Sequence, residues 1–326
     1  MKAVICRTVG SVENLVIGEA PKLVPGRGEV IINVAAAGVN YLDVLMIQGK
    51  YPLKPPLPFS PGCEASGIID AVGDGVANLE PGQRVMAFVP YGAFAAQVRA
   101  DASFVFPIPD SMSFPEAAGF LVTYGTAYHA LRKRAQLAEG EVLLVLGAAG
   151  GVGLTAVEIG RLLGAQVIAA ASSAQKLALC QRYGAQLTIN YLVDDLRTRV
   201  GELTDGRGAD VVFDPVGGDL TEAALRSVAF LGRFLIIGFA AGIPRVPLNL
   251  ILFRSATAFG ISWGAFGRAR PLEIADDISV LLQWHQEGRI QPHISDIYPM
   301  TQYEEALRSI MNRKAQGKVV IQITPE

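Results

Sequence analysis

Seven residues, Gly147-Ala148-Ala149-Gly150-Gly151-Val152-Gly153, have the composition of a turn that wraps backbone around a phosphate. They follow the GxGxxG dinucleotide pattern with its first glycine replaced by Ala148. Gly150 leaves the backbone open to a pyrophosphate, and Gly153 lets helix and strand pack closely. Gly151 and Val152 open the helix, whose unpaired N–H groups and partial positive charge attract phosphate. An NAD site usually carries an acid about 20 residues further on, bound to the ribose 2′-hydroxyl. Here that stretch reads Ala170-Ala171-Ser172-Ser173, with Lys176 just beyond. Two hydroxyls and an ammonium suit a 2′-phosphate, so the expected cofactor is NADPH. Lys176 also fits an ordinary solvated helix lysine. Tyr191, expected at the end of the next strand, either faces the adenine side or packs.

These groups need elements to hold them. "EVLLVL" (141–146) is an unbroken aliphatic run, as in a central parallel strand covered on both faces. The spacing then turns helical, with Val152, Ala156, Ile159 and Leu163 on one face and Gly164 as the stop. The charge-free run from Val142 to Val157 is too short and too rich in glycine for a membrane span. Further strands are expected at 165–171, 185–191, 209–217, 232–239 and 256–262, alternating with helical stretches. That alternation predicts an α/β fold with a doubly wound parallel sheet of Rossmann type. Val216 then lies at the tip of the fourth strand, where open sheets bind ligands. The first part of the chain is different in kind, with short strands punctuated by glycine and proline, as in a β-rich barrel. Its proline-rich stretch 51–62 reads as a surface loop. Helices expected over 272–290 and 302–312 and a strand at 317–323 return to complete that domain.

The 326 residues are enough for two domains, each with its own core. Lys and Arg total 28 against 30 Asp and Glu, without a run of like charge, which counts against nucleic acid or an anionic membrane as partner. A small-molecule partner is expected. The three cysteines, Cys6, Cys63 and Cys180, stand far apart and read as reduced thiols. Arg7 and Glu13 interrupt any signal-peptide core, so the cytoplasm is the expected location.

"GVNYLDVLMIQGKYPLKPPLPFSPGCEASGIIDAVGDGV", then "LEPGQRV", "AAGGVG" and the closing "AQGKVVIQI", together resemble the medium-chain dehydrogenase/reductase superfamily. The resemblance covers essentially the whole chain and points to the zinc-independent, zeta-crystallin-like quinone oxidoreductase branch. It implies a GroES-like substrate domain over 1–122, completed by 266–326, a Rossmann NADPH-binding domain over 123–265, and an active-site cleft where they meet. Where zinc-dependent relatives carry a cysteine, a histidine and a third ligand, this chain has Asn40, Cys63 and a position near Val122. Only Cys63 of these is a metal ligand, whereas catalytic zinc needs three from the protein, so no metal is expected. His129, His285 and His293 fit no metal spacing.

Without a metal, hydrogen bonds must stabilise developing oxyanion charge. The resemblance offers two candidates. Tyr51 matches a proton-donating tyrosine of enoyl-thioester reductases, and Asn40 a position near the nicotinamide in quinone reductases. A phenol can donate a hydrogen bond or a proton, an amide only the former. Tyr51 also reads as a loop aromatic on the prolines, and Asn40 as a turn-stabilising amide. Thr126, Gly238 and Phe239 match family contacts to the nicotinamide and its ribose. Phe239, Trp263 and Phe266 read equally as pocket wall or core. The expected activity is NADPH-dependent hydride transfer to a quinone or conjugated carbonyl. The alternatives are an enoyl-thioester reductase and a non-catalytic NADPH-binding scaffold. The apolar strand at 256–262, at the expected sheet edge, invites pairing, and the resemblance implies a homodimer through the Rossmann edge strands.

Overall fold

The computed structural model describes residues 1–324. The chain forms two compact units, one from Met1–Val122 with the segment from Gly267 onward, the other Thr123–Phe266.

In the first unit, β1 (Lys2–Cys6) and β2 (Leu15–Glu19) make an antiparallel ribbon. The main sheet takes β3 (Glu29–Val39), which leads into helix α1 (Tyr41–Ile47), then β4 (Glu64–Val72), β5 (Arg84–Phe88), β6 (Gln97–Asp101) and β7 (Val105–Pro107). Helices α2 (Phe114–Ala118) and α3 (Leu121–Tyr128) follow. α2 starts in a capping box, where Ser113 and Glu116 satisfy each other's free N–H groups.

The second unit contains β8 (Val142–Leu146), α4 (Gly151–Leu162), β9 (Gln166–Ala171), α5 (Ala174–Arg182), β10 (Leu187–Asn190), α6 (Leu196–Leu203) and β11 (Ala209–Asp214). It continues with α7 (Leu220–Arg226), β12 (Val228–Ile236), α8 (Asn249–Arg254), β13 (Thr257–Gly260) and α9 (Trp263–Ala269). The chain then returns to the first unit through α10 (Pro271–Gln286), β14 (Ile294–Pro299), α11 (Tyr303–Met311) and β15 (Lys318–Gln322).

The second unit's sheet runs β10-β9-β8-β11-β12-β13, with every pair parallel. The order reverses between β8 and β11, the place where an open sheet leaves a crevice at its strand ends. All five residues of β8 are buried, and so is α4 from Gly153 to Gly160, Thr155 and Glu158 included. Burial on every side explains why the apolar period of α4 is only partly visible in its sequence. Gly160 permits the helix to approach the sheet, since a Cβ there would lie 2.5 Å from Leu143 Cδ2.

The first unit's sheet runs β14-β15-β3-β4-β5-β7, with β6 also paired to β3. The C-terminal strand β15 is thus inserted beside the long N-terminal strand β3, antiparallel, with Val319 opposite Val39. The stretch 51–62 has almost no regular structure, yet it is not wholly a surface loop, because Phe59 is buried and bridges Cys6. α1 was not anticipated. Its seven residues are mostly apolar and follow directly on a strand, which leaves too short a window for a helical period. No helix among the described residues is long and apolar enough to cross a membrane.

Gly38, near the end of β3, has no room for a side chain. A Cβ there would collide with Ala118 O and lie 2.5 Å from Glu64 Oε1. Gly38→Ala should therefore destabilise the protein by about 1–3 kcal/mol, the usual cost of overpacking, read as a lower urea midpoint at unchanged slope.

Candidate functional site

In the first unit a set of polar side chains meets at one end of three strands. In the sheet register Gly38 lies opposite Glu64 and Val39 opposite Val319, so the last residues of β3 stand between the first residues of β4 and β15. Asn40, Glu64 and Lys318 converge there. Glu64 and Lys318 are 1% and 5% exposed and form an ion pair through Oε1 and Nζ. Lys318 Nζ also donates to Asn40 Oδ1 at 2.6 Å, and Asn40 Nδ2 donates to Glu64 Oε1 at 2.8 Å. The second carboxylate oxygen of Glu64 accepts from the Val122 N–H at 3.0 Å. Every charged atom in the group thus has a partner, the condition under which burial of an ion pair is tolerated. Gly119 makes space for the lysine, since a Cβ there would lie 2.8 Å from Lys318 Cγ.

Asn40 precedes α1, and Asp43 in its first turn accepts from the Asn40 N–H at 2.8 Å. Asp43 is fully buried, and that burial pushes its carboxyl up to about 7. The Asn40 backbone bond and the Lys318 charge oppose the shift, and the Glu64 charge adds to it. The Cys63 thiol is held well above its ordinary value, first by burial and then by the Asp43 and Glu64 charges. Tyr51 follows α1, its N–H bonded to Leu45 O at 3.1 Å and its ring half-buried on the apolar core. Burial raises its phenol too, with smaller contributions from Cys63 and Asp43, and keeps it protonated.

The second unit brings the expected dinucleotide residues together at the strand ends. Gly147, at φ 55°, turns the chain out of β8, and Gly150 precedes the first turn of α4, which Gly151 and Val152 open. A Cβ on Gly153 would collide with Gly147 O, so only glycine lets the helix start sit on the turn. After β9, Ser173 caps α5 by accepting from the Lys176 N–H at 3.3 Å, and Lys176 Nζ lies 3.3 Å from Ser172 Oγ. Two hydroxyls and an ammonium thus share one half-buried corner. Tyr191 falls one residue beyond β10 rather than at its end, and it packs on the unit's apolar core.

Asp214, at the end of β11, organises the next loop. Its carboxylate accepts from the N–H groups of Val216 and Gly217, at 2.8 and 2.9 Å, and from Thr221 Oγ1 at 2.8 Å. Val216 packs against the Gly147 turn, where a Cβ on the glycine would meet Val216 Cγ2 at 2.8 Å. The loop carrying Gly238 and Phe239 is stitched to the same place by Ala241 N–H to Val216 O at 2.7 Å and Gly218 N–H to Gly242 O at 2.8 Å. Phe239 is 39% exposed. Trp263 is buried against Gly125, and Phe266 stacks on the buried His129 with ring centroids 4.3 Å apart. Burial lowers the His129 imidazole to about 4, so it is neutral near pH 7. Thr126 is half-buried in α3, which is joined to α4 by Tyr124 Oη donating to Glu158 at 2.7 Å.

Sequence reasoning missed Glu64, Lys318 and Asp214. The first two are 254 residues apart, and neither "PGCE" nor "GKVV" signals that they meet.

Comparison with known proteins agrees with this architecture. Residues 26–110 match the alcohol dehydrogenase GroES-like domain family, and residues 151–280 match a family described as zinc-binding dehydrogenase. A quinone oxidoreductase-like protein 2 from Bos taurus is 39% identical over 90% of this chain and 85% of its own length. The chain belongs to the medium-chain dehydrogenase/reductase superfamily, among its quinone oxidoreductase-like proteins. It is an oxidoreductase. The Escherichia coli quinone oxidoreductase, solved with NADPH, superposes with a TM-score of 0.94 at 29% identity, covering 99% of this chain and all of that one. The CurK enoyl reductase gives 0.91 at 28% identity, with 99% of both chains covered.

The Asp43 shift has a testable sign. A carboxyl held up to about 7 when folded, against 3.8 as its ordinary value, carries a proton that the unfolded chain releases earlier. Its contribution is therefore favourable at low pH and is lost as pH rises from about 4 through about 7. Asp43→Asn removes that titration. Urea denaturation across this window should show the variant gaining on the native chain as pH rises, and a constant difference would contradict the assignment.

Proposed function

We propose that the protein is an NADPH-dependent reductase that delivers hydride, without zinc, to a quinone or another carbonyl-conjugated acceptor. The observation that carries this reading is the corner formed by Ser172, Ser173 and Lys176, which offers hydroxyls and a cation where a 2′-hydroxyl site would carry an acid. The pyrophosphate falls to the backbone of Gly150, Gly151, Val152 and Gly153 at the start of α4. Thr126, Val216, Gly238 and Phe239 complete the cofactor set in this reading, with Tyr191 on the adenine side.

The donors at the three candidate metal positions do not fit zinc. The Asn40 carbonyl already accepts from an ammonium, Val122 has no donor side chain, and Cys63 alone falls short of the three protein ligands a catalytic zinc needs. The matched zinc-binding dehydrogenase stretch, 151–280, contains none of the three. In this reading the protein itself meets the charge that develops on the acceptor oxygen, with Asn40 donating a hydrogen bond and Tyr51 a hydrogen bond or a proton. Bound NADPH supplies the hydride. A quinone demands little more than orientation, because its reduced product is aromatic.

An enoyl-thioester reductase is the second reading. It is favoured by the protonated, half-buried Tyr51 phenol together with the likeness to an enoyl reductase. NADPH oxidation against benzoquinone, a naphthoquinone, a simple enone and a crotonyl thioester separates the two. Quinone turnover, with NADPH far ahead of NADH, is the expected result. Lys176→Ala should raise the KM for NADPH about ten- to hundredfold, the worth of a charge-assisted hydrogen bond, and leave NADH unchanged. Turnover of the thioester alone, abolished in Tyr51→Phe, favours the second reading. Tight NADPH binding without any turnover leaves a scaffold.

The reading extends to assembly and location. β13 is the outer strand of its sheet, and Leu248, Leu252 and Phe253, at the start of and within the preceding helix α8, are more than two-thirds exposed. A homodimer joined through these edges covers both strand and patch. Phe253→Asp should turn a dimer into a monomer in light scattering, with cofactor binding retained. Three buried, unpaired cysteines fit a reducing compartment, the cytoplasm.

A further inference from the structure

We infer that Lys318 and Glu64 are positioning residues that decide which side of the Asn40 amide an acceptor meets, so that it finds an N–H and not a carbonyl. The inference rests on the reading of Asn40 as a donor.

An asparagine amide is nearly symmetric in shape, so its orientation follows from what each side faces. Asn40 Oδ1 faces the Lys318 ammonium at 2.6 Å, and Nδ2 faces the Glu64 carboxylate at 2.8 Å. Rotating the amide by half a turn would set NH2 against the ammonium and the carbonyl against the carboxylate. Both contacts would become repulsive, in a cluster where the charged residues are 5% and 1% exposed. The ion pair therefore works as a key for the amide. It leaves the two Nδ2 protons unequal. One is committed to Glu64, while the other meets only a weak acceptor, Cys63 Sγ at 3.3 Å, and a long contact to Gly38 O at 3.5 Å. The loosely held proton is the one available to an acceptor oxygen. A flipped amide would offer a lone pair there and repel the charge that forms during reduction.

Two measurements test this. In the full-length native protein, the Asn40 side-chain NH2 is observed by amide NMR and assigned by its loss in Asn40→Asp. One proton should be shifted downfield and exchange slowly, and its partner should exchange much faster. Equal shifts and equal exchange would overturn the inference without any variant having to fold. The second measurement uses Glu64→Gln/Lys318→Met, which removes both charges together and leaves none buried alone. NADPH oxidation with a naphthoquinone should lose about ten- to hundredfold in kcat, the range for one oxyanion donor or somewhat less, with the KM for NADPH within about twofold. Adding Asn40→Ala to that pair should cost nothing more, since the donor is already lost. Native kcat in the double variant, with a slow Asn40→Ala, would sink the positioning role alone. Native kcat in Asn40→Ala itself would sink the donor reading, and this inference with it.

Discussion

A buried ion pair between residues 254 apart in the chain organises the first unit. Glu64 and Lys318 come from neighbours of the same central strand, and neither charge is accommodated unless the other is present. Removing one partner of such a pair costs about 3–5 kcal/mol, because the survivor stays buried and uncompensated. Much of the local sequence follows from that requirement. Gly38 has no room for a side chain beside Ala118 O and the Glu64 carboxylate, nor Gly119 beside the Lys318 stem and Ile294. β15 must lie beside β3 in one register, since a one-residue slip would turn Lys318 to the other face of the sheet. Asn40 lies between the two charges and bonds to both.

The same cluster reaches the proposed reacting groups through α1. Asp43 holds the Asn40 N–H at the start of that helix, and Leu45 O holds the Tyr51 N–H beyond its end. Seven helical residues therefore join a buried electrostatic anchor to a half-buried phenol. Burial shifts Asp43, Cys63 and Tyr51 in one direction, toward their protonated forms. Near neutrality only Asp43 loses charge by this, since an ordinary thiol and phenol are already neutral there.

The second unit solves a different problem with backbone. A phosphate needs N–H groups and close approach, and a parallel sheet delivers both at the ends of its strands. Gly147 and Gly153 bring the start of α4 onto the turn, while Asp214 spends its oxygens on neighbouring amides and a threonine rather than on a ligand. The side chains that, in the proposed function, distinguish one dinucleotide from another are few and sit after β9. In the proposed function, cofactor choice and acceptor chemistry thus rest on separate physical devices, hydroxyls with a cation in one unit and a keyed amide with a phenol in the other.

The dinucleotide turn, the aliphatic run of β8 and the Ser172–Lys176 corner were legible in the sequence because each is local. The glycine spacing, the lack of charge and the four-residue reach of a helix start all fall within one short window. The resemblance of ordered motifs added the family. α1 was missed for the opposite reason, since a seven-residue helix has no periodicity long enough to read. By itself the sequence determined the glycine turn, the residue types that follow β9 and which stretches must be strands of a parallel sheet. Only the tertiary structure decided that Asn40, Glu64 and Lys318 form one cluster, because their meeting depends on the pairing of β15 with β3 and of β3 with β4. The protonation of Asp43 and Cys63 was likewise decided there, since burial and neighbouring charge belong to the folded packing and not to the order of residues.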